Sequence, residues 1–150
     1  MSIDDDALEV RAQGWRTLAA LHASIEAQLE QALAEAANLS VVEYTVLDAL
    51  GRQDGWHMRM QQLGRAAALS SSATTRLVNR LEERSLLQRV LCADDRRGIY
   101  TELTAPGRAL LEKARPAHDR ALEAALDTAE QTPELAPLAA ALHQVTRAGA

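Results

Sequence analysis

Phenylalanine is absent from this 150-residue chain, and its rings are limited to two tryptophans, two tyrosines and four histidines. A core without phenylalanine must be mainly aliphatic, drawn here from abundant Ala and Leu. The single cysteine, Cys92, excludes an internal disulfide and fits a reducing compartment. No apolar run reaches the roughly 18 residues that a bilayer-spanning helix needs, so no membrane association is expected. The N-terminal stretch MSIDDDALEV is acidic and lacks an apolar signal core, which points to the cytoplasm. His22, His57, His118 and His143 are scattered without zinc-site spacing, so neither a metal nor a cofactor is expected. No nucleophile–base pair, phosphate loop or metal motif stands out, and an enzyme is not indicated. What is present is ordinary for a folded soluble domain: 47% apolar and 25% charged residues.

The net charge of −5 conceals a pattern. Residues 1–58 carry 3 basic and 10 acidic side chains. Residues 59–100 carry 8 arginines against 4 acids, and residues 101–150 carry 5 basic against 7 acidic side chains. Positive charge is concentrated in the middle. By itself this fits a solvated arginine-rich surface and a polyanion-binding module equally well.

Helical periodicity runs through residues 5–36, where Leu8, Trp15, Leu18, His22, Ile25 and Leu29 recur at three- and four-residue steps. Ser40 and Glu43 have capping-box spacing, flanked by a Leu39/Tyr44 staple, and start a helix over Val41–Gly51. WHMRM reads as a small strand and QQLGRAAA as a short helix. Ser70 caps a helix over about Ser71–Arg84, with Ala73, Leu77, Val78 and Leu81 on its inner face. LLQRVLC and GIYTEL read as strands joined by the loop ADDRR. Thr104 caps a helix that tolerates Pro106 in its first turn, and a last amphipathic helix lies near Leu135–Val145. Two helices joined by a tight turn and followed by a hairpin make a winged helix-turn-helix. The expected fold is mainly α with a small β-hairpin.

The outer face of the 71–84 helix carries Ser72, Thr75, Arg76 and Asn79, with Arg80 at its border. Together with Ser70, Ser71 and Thr74 these are the candidate DNA-contacting residues. Hydroxyls and amides bond phosphates or base edges, and arginine pairs with guanine or clamps phosphate. A solvated helix face would carry more Glu–Lys pairs. In the hairpin, Arg97 suits a narrow minor groove, Asp95 two residues away is its positioner, and Arg96 is a phosphate contact. Taken alone, DDRRG reads more simply as a solvated turn.

The stretch from LSVVEYTVLDAL through TRLVNRLEERSLLQR to the Asp95–Arg97 wing and the LTAPG of Leu103–Gly107 resembles the MarR family of bacterial transcription regulators. Two departures stand out. Gly64 replaces the usual start of the motif's first helix and is expected to loosen it. Ser85 stands where a glycine often ends the recognition helix. The resemblance implies a homodimeric repressor on a pseudo-palindromic operator of double-stranded DNA. Dimerisation helices would span 5–37 and 105–147, with the winged helix-turn-helix at 39–103 between them. It also implies release by a small aromatic or anionic ligand, for which Trp15, His22, Tyr44, Trp56 and His57 are candidate pocket residues. Core packing is the competing reading for Trp15 and Tyr44. A winged-helix protein-interaction module that reads no DNA is the alternative function.

Overall fold

The computed structural model describes residues 3–92 and 95–148, excluding the side chains of 3, 4, 92, 95–97, 143 and 145–148. In chain order the elements are α1 (Ile3–Ala37), α2 (Val41–Gly51), a single 3₁₀ turn (Asp54–Trp56), β1 (His57–Arg59) and α3 (Met60–Ala66). After these come α4 (Ser71–Glu83), β2 (Leu87–Cys92), β3 (Asp95–Leu103), α5 (Ala105–Glu130) and α6 (Ala136–Ala148). The chain divides into two compact units, one of residues 33–117 and the other of residues up to 32 together with those from 118 onward. Among the described residues no helix is long and apolar enough to cross a membrane. Among the described residues no three His, Cys, Asp or Glu side chains converge on a metal site.

The 33–117 unit holds the larger core. Leu33, Val46, Leu47, Leu50, Leu63, Val78 and Leu81 are fully buried there. Each contributes about 1.5–3 kcal/mol through removal of apolar surface from water. α2 starts as the sequence dictates. Ser40 Oγ accepts the Glu43 N–H at 3.1 Å, and Glu43 Oε1 accepts the Ser40 N–H at 2.9 Å. The flanking Leu39 and Tyr44 are both buried, as a staple requires. Tyr44 is therefore a core residue, as the packing reading expects.

The sheet has three strands in the order β1-β3-β2, all antiparallel. The hairpin expected from sequence thus gains β1 as a third strand on the far side of β3. The ADDRR loop is shorter than expected: Asp95, Arg96 and Arg97 belong to β3, and the register slips by a bulge at Leu91/Cys92. Backbone pairing resumes at Cys92 and Asp95 after this bulge, which carries β3 into the charged segment.

Two glycines fix how elements meet. A Cβ at Gly107 would lie 2.0 Å from the Leu86 carbonyl oxygen, so only glycine lets the start of α5 approach this close. Thr104 locks the same corner, its Oγ1 accepting the Gly107 N–H at 3.0 Å and donating to the Ser85 carbonyl at 2.6 Å. Gly64 is buried, and a Cβ there would meet Thr74 Oγ1 at 3.0 Å and the Leu69 carbonyl at 3.4 Å. Gly64 therefore permits close packing of α3 on α4, where the sequence alone suggested a loosened helix.

In the other unit the core is small: Leu21, Ala129 and Ala139, with Ile25, Leu135 and Leu138 packed on it. Leu8, Val10, Trp15 and Leu18 are exposed along the first half of α1.

Candidate nucleic-acid interface

α3 and α4 meet through a tight turn that the backbone closes by itself. Leu69 N–H bonds the Gly64 carbonyl at 2.8 Å while Ala68 takes φ +55°, ending α3 in a left-handed residue. Ser70 then caps α4, its Oγ accepting the Ala73 N–H at 3.2 Å. α4 is strongly two-faced. Thr74, Leu77, Val78 and Leu81 point into the core. Ser71, Ser72, Thr75, Arg76, Asn79 and Arg80 are exposed.

One expected contact residue is corrected by this geometry. Thr74 is only 2% exposed, and its hydroxyl donates to the Ser70 carbonyl at 2.8 Å. Buried against Gly64, it cannot reach a nucleic acid. It takes the inner position expected of Ala73, which is only half-buried. The spacing explains the exchange: 74, 77, 78 and 81 form an i, i+3, i+4, i+7 stripe.

The exposed positions differ in their freedom. Arg76 is exposed and carries no ion pair among the described residues. Arg80 lies 3.9 Å from the Glu43 carboxylate, and Arg84 bonds the same Glu43 Oε2 at 3.1 Å. Glu43 thus serves twice, capping α2 with one oxygen and holding the C-terminal end of α4 with the other. Arg89 of β2 reaches back to α4. Its Nη1 donates to Glu82 Oε1 at 3.0 Å, its backbone N–H donates to Glu82 Oε2 at 3.2 Å, and its Nη2 donates to Asn79 Oδ1. This pins the base of the wing to the exposed face of the helix.

α4 ends in a Schellman motif, with Leu86 N–H bonding the Leu81 carbonyl at 3.0 Å and Ser85 N–H bonding Glu82 at 2.9 Å. Ser85 sits at φ +62°. The wing follows directly. Its backbone brings Asp95, Arg96 and Arg97 into β3, and their side chains lie outside the described residues, as does that of Cys92. Leu91 and Ile99 are exposed cross-strand neighbours farther down the wing.

Of the remaining pocket candidates in the 33–117 unit, Trp56 is exposed, with the Arg108 guanidinium 4.0 Å from its ring centre. His57 packs edge-on against Tyr100, their centres 4.8 Å apart, and Arg59 lies 5.5 Å over the same tyrosine. In the other unit Trp15 is exposed, and His22 lies 3.7 Å from Glu26 with most of its side chain in solvent. A cavity of about 360 Å³ opens between α3 and α4, lined by Met60, Gln61, Arg65, Leu69, Ser71 and Thr75 among others.

A sequence model of the MarR family matches residues 37–98, from the end of α1 into the wing. CouR from Rhodococcus jostii RHA1, solved bound to p-coumaroyl-CoA, is 30% identical. It matches over 69% of this chain and 71% of its own, with a TM-score of 0.64. The chain belongs to the MarR family. Its fold also matches two MarR family transcriptional regulators from Streptomyces coelicolor. AbsC is 26% identical over 98% of this chain and 95% of its own, with a TM-score of 0.74. Sco3205, solved in complex with DNA, is 24% identical over 99% of this chain and 89% of its own, also with a TM-score of 0.74. No curated protein sequence gives a significant match.

Within this MarR fold, sequence reasoning missed Arg89, Glu82 and the second task of Glu43. Arg89 meets Glu82 and Asn79 only because the chain reverses after α4, and Glu43 meets Arg84 only through the packed core. A weak signal existed for Glu82 and Arg89, since opposite charges flanking a predicted turn are candidates to pair across it.

Proposed function

We propose that this protein is a sequence-specific double-stranded-DNA-binding transcriptional regulator, a homodimeric repressor acting in the cytoplasm without catalysis. The observation that carries this reading is the exposed face of α4. Three hydroxyl residues and Arg76 line its reading end beside the capped N-terminus, where backbone N–H groups favour anions. Sco3205 was solved with DNA, and the same fold here presents donors suited to phosphates and base edges. Arg96 and Arg97 of the wing supply phosphate and minor-groove contacts, with Asp95 as positioner. The exposed apolar stripe of α1 supports the homodimer, because a second copy can cover it. The dimerisation helices are accordingly α1 and the helices after residue 105.

An interaction module that reads no DNA would place large apolar anchors on α4. Among the described residues the exposed large apolar side chains lie elsewhere, and α4 has none. Selection from random duplex DNA tests the choice. The expected product is an inverted repeat with half-sites about 10 bp apart and binding that weakens steeply with salt. Failure to enrich any sequence would favour the interaction module.

A small aromatic or anionic ligand is the proposed release signal. CouR was solved bound to p-coumaroyl-CoA, and the Trp56–Arg108 pair offers this chain a ring and a cation side by side. Titrating the protein–operator complex with aromatic acids and their thioesters checks this, with release of DNA expected from wild type and not from Arg108→Ala.

A further inference from the structure

Arg89 does more than join two elements: it dictates which atoms of Asn79 remain for a partner. A guanidinium carries donors only. The Asn79 atom that meets Arg89 Nη2 must therefore be the carbonyl oxygen, whichever way an amide is drawn. Arg89 is itself held by Glu82 through both its Nη1 and its backbone N–H, so the guanidinium cannot swing away freely. Asn79 is exposed on the same face as Ser72, Thr75 and Arg76.

A free asparagine reads adenine bidentately, accepting from N6 and donating to N7. Asn79 cannot do both. Its oxygen is engaged, and an adenine N6–H approaching that oxygen would face the donors of Arg89. What remains is the amide NH₂, a donor. The edges that match it fully are acceptor-only, O6 and N7 of guanine or O4 of thymine, whereas adenine offers N7 beside an N6 amino group left without an acceptor. We infer that Arg89 makes Asn79 a donor-only reader, disfavouring adenine and selecting guanine or thymine at one symmetric pair of operator positions. Glu82 completes the device by holding Arg89 with its charge balanced, so that a carboxylate close to DNA does not repel the phosphates.

This inference rests on the DNA-reading function proposed above, and one experiment separates the two. Random duplex DNA is selected in parallel with wild type, Asn79→Ala, Arg89→Leu and Asn79→Asp. Asn79→Ala should level the preference at a single symmetric position and so identify it. Arg89→Leu should admit adenine there, raising its share roughly tenfold, the value of about one hydrogen bond. Asn79→Asp keeps an acceptor for Arg89 and removes the donors. It should turn the preference at that position toward cytosine or adenine, whose amino groups donate. This variant keeps the test open if Arg89→Leu fails to fold. A purely structural clamp predicts something else: uniformly weaker binding with every base preference intact. That result in Arg89→Leu and Asn79→Asp, or no positional change in Asn79→Ala, overturns the inference while leaving DNA reading in place. If wild type itself enriches no motif, the DNA-reading function fails and this inference falls with it.

Discussion

Two helices of this chain turn opposite kinds of surface to solvent. α1 exposes Leu8, Val10, Trp15 and Leu18, of which Trp15 and Leu8 are each 67% exposed. α4 exposes Ser71, Ser72, Thr75, Arg76, Asn79 and Arg80, and buries Leu77, Val78 and Leu81. Water satisfies the α4 face at no cost, so its exposure needs no cover, and a donor such as Arg76 can exchange water for an anion. Water opposes the α1 face, because an ordered apolar stripe gains nothing from solvation. The lesson is that exposure has two meanings. An exposed polar face is available for exchange with a reversible partner, whereas an exposed apolar face signals a protein surface that belongs there permanently.

The largest expected effect comes from breaking the α1 side. Replacing Trp15 and Leu18 together by Asp puts charge into the stripe. The protein should sediment as a monomer, and operator affinity should fall at least about 100-fold, since linked half-sites lose their mutual effective concentration. A double variant that stays dimeric would show that the stripe is not the dimer surface.

Glycine substitutions sharpen the same contrast. Gly107→Ala forces a Cβ against the Leu86 carbonyl at 2.0 Å, and should cost about 3 kcal/mol as strain is spread over α5 and the wing root. Gly14→Ala, in α1 with nothing within 4 Å, should instead add up to about 1 kcal/mol through helix propensity. Urea denaturation reads both. Equal signs would mean that the two glycines are not placed in such different surroundings.

On α4, Arg76→Ala should leave the dimer intact and weaken operator binding by about 1–3 kcal/mol per half-site. Arg80→Ala should cost less, because Glu43 already competes for its charge at 3.9 Å. Fluorescence anisotropy on one labelled operator compares them. A larger loss at Arg80 would show that Arg76 is not the more available of the two arginines.

Much of this was legible in the chain. The Ser40–Glu43 box, the Ser70 cap and the strand runs mark their elements through local chemistry, which sequence spacing preserves. The hydroxyl-and-arginine face of α4 was also visible, because helical spacing alone assigns faces. Thr74 was misread because a hydroxyl suggests solvent, yet its own helix satisfies it by bonding the Ser70 carbonyl. Gly64 was misread because propensity penalises glycine in helices, whereas here a neighbouring side chain needs the space. The link from Glu43 to Arg84 spans 41 residues. Neither periodicity nor capping rules reach that far, and only the packed core brings the two together.

Ser85 carries the smallest prediction and shows how a departure from a family pattern can be read physically. It occupies the left-handed residue of the Schellman motif that ends α4, at φ +62°. An L-residue with a Cβ pays about 1–2 kcal/mol in that conformation, and glycine pays none. Glycine also loses more chain entropy on folding, which takes back about 0.4–1 kcal/mol. Ser85→Gly should therefore stabilise the fold by roughly 0.5–1 kcal/mol, measured by urea denaturation. Operator affinity should not change, because the motif's two bonds are made by the backbone and glycine keeps both. The same reasoning applies to Ala68, at φ +55° between α3 and α4, where Ala68→Gly should give a similar gain. If Ser85→Gly destabilised while Ala68→Gly stabilised, the serine side chain itself would be contributing at the wing root, and the two turns would no longer be equivalent.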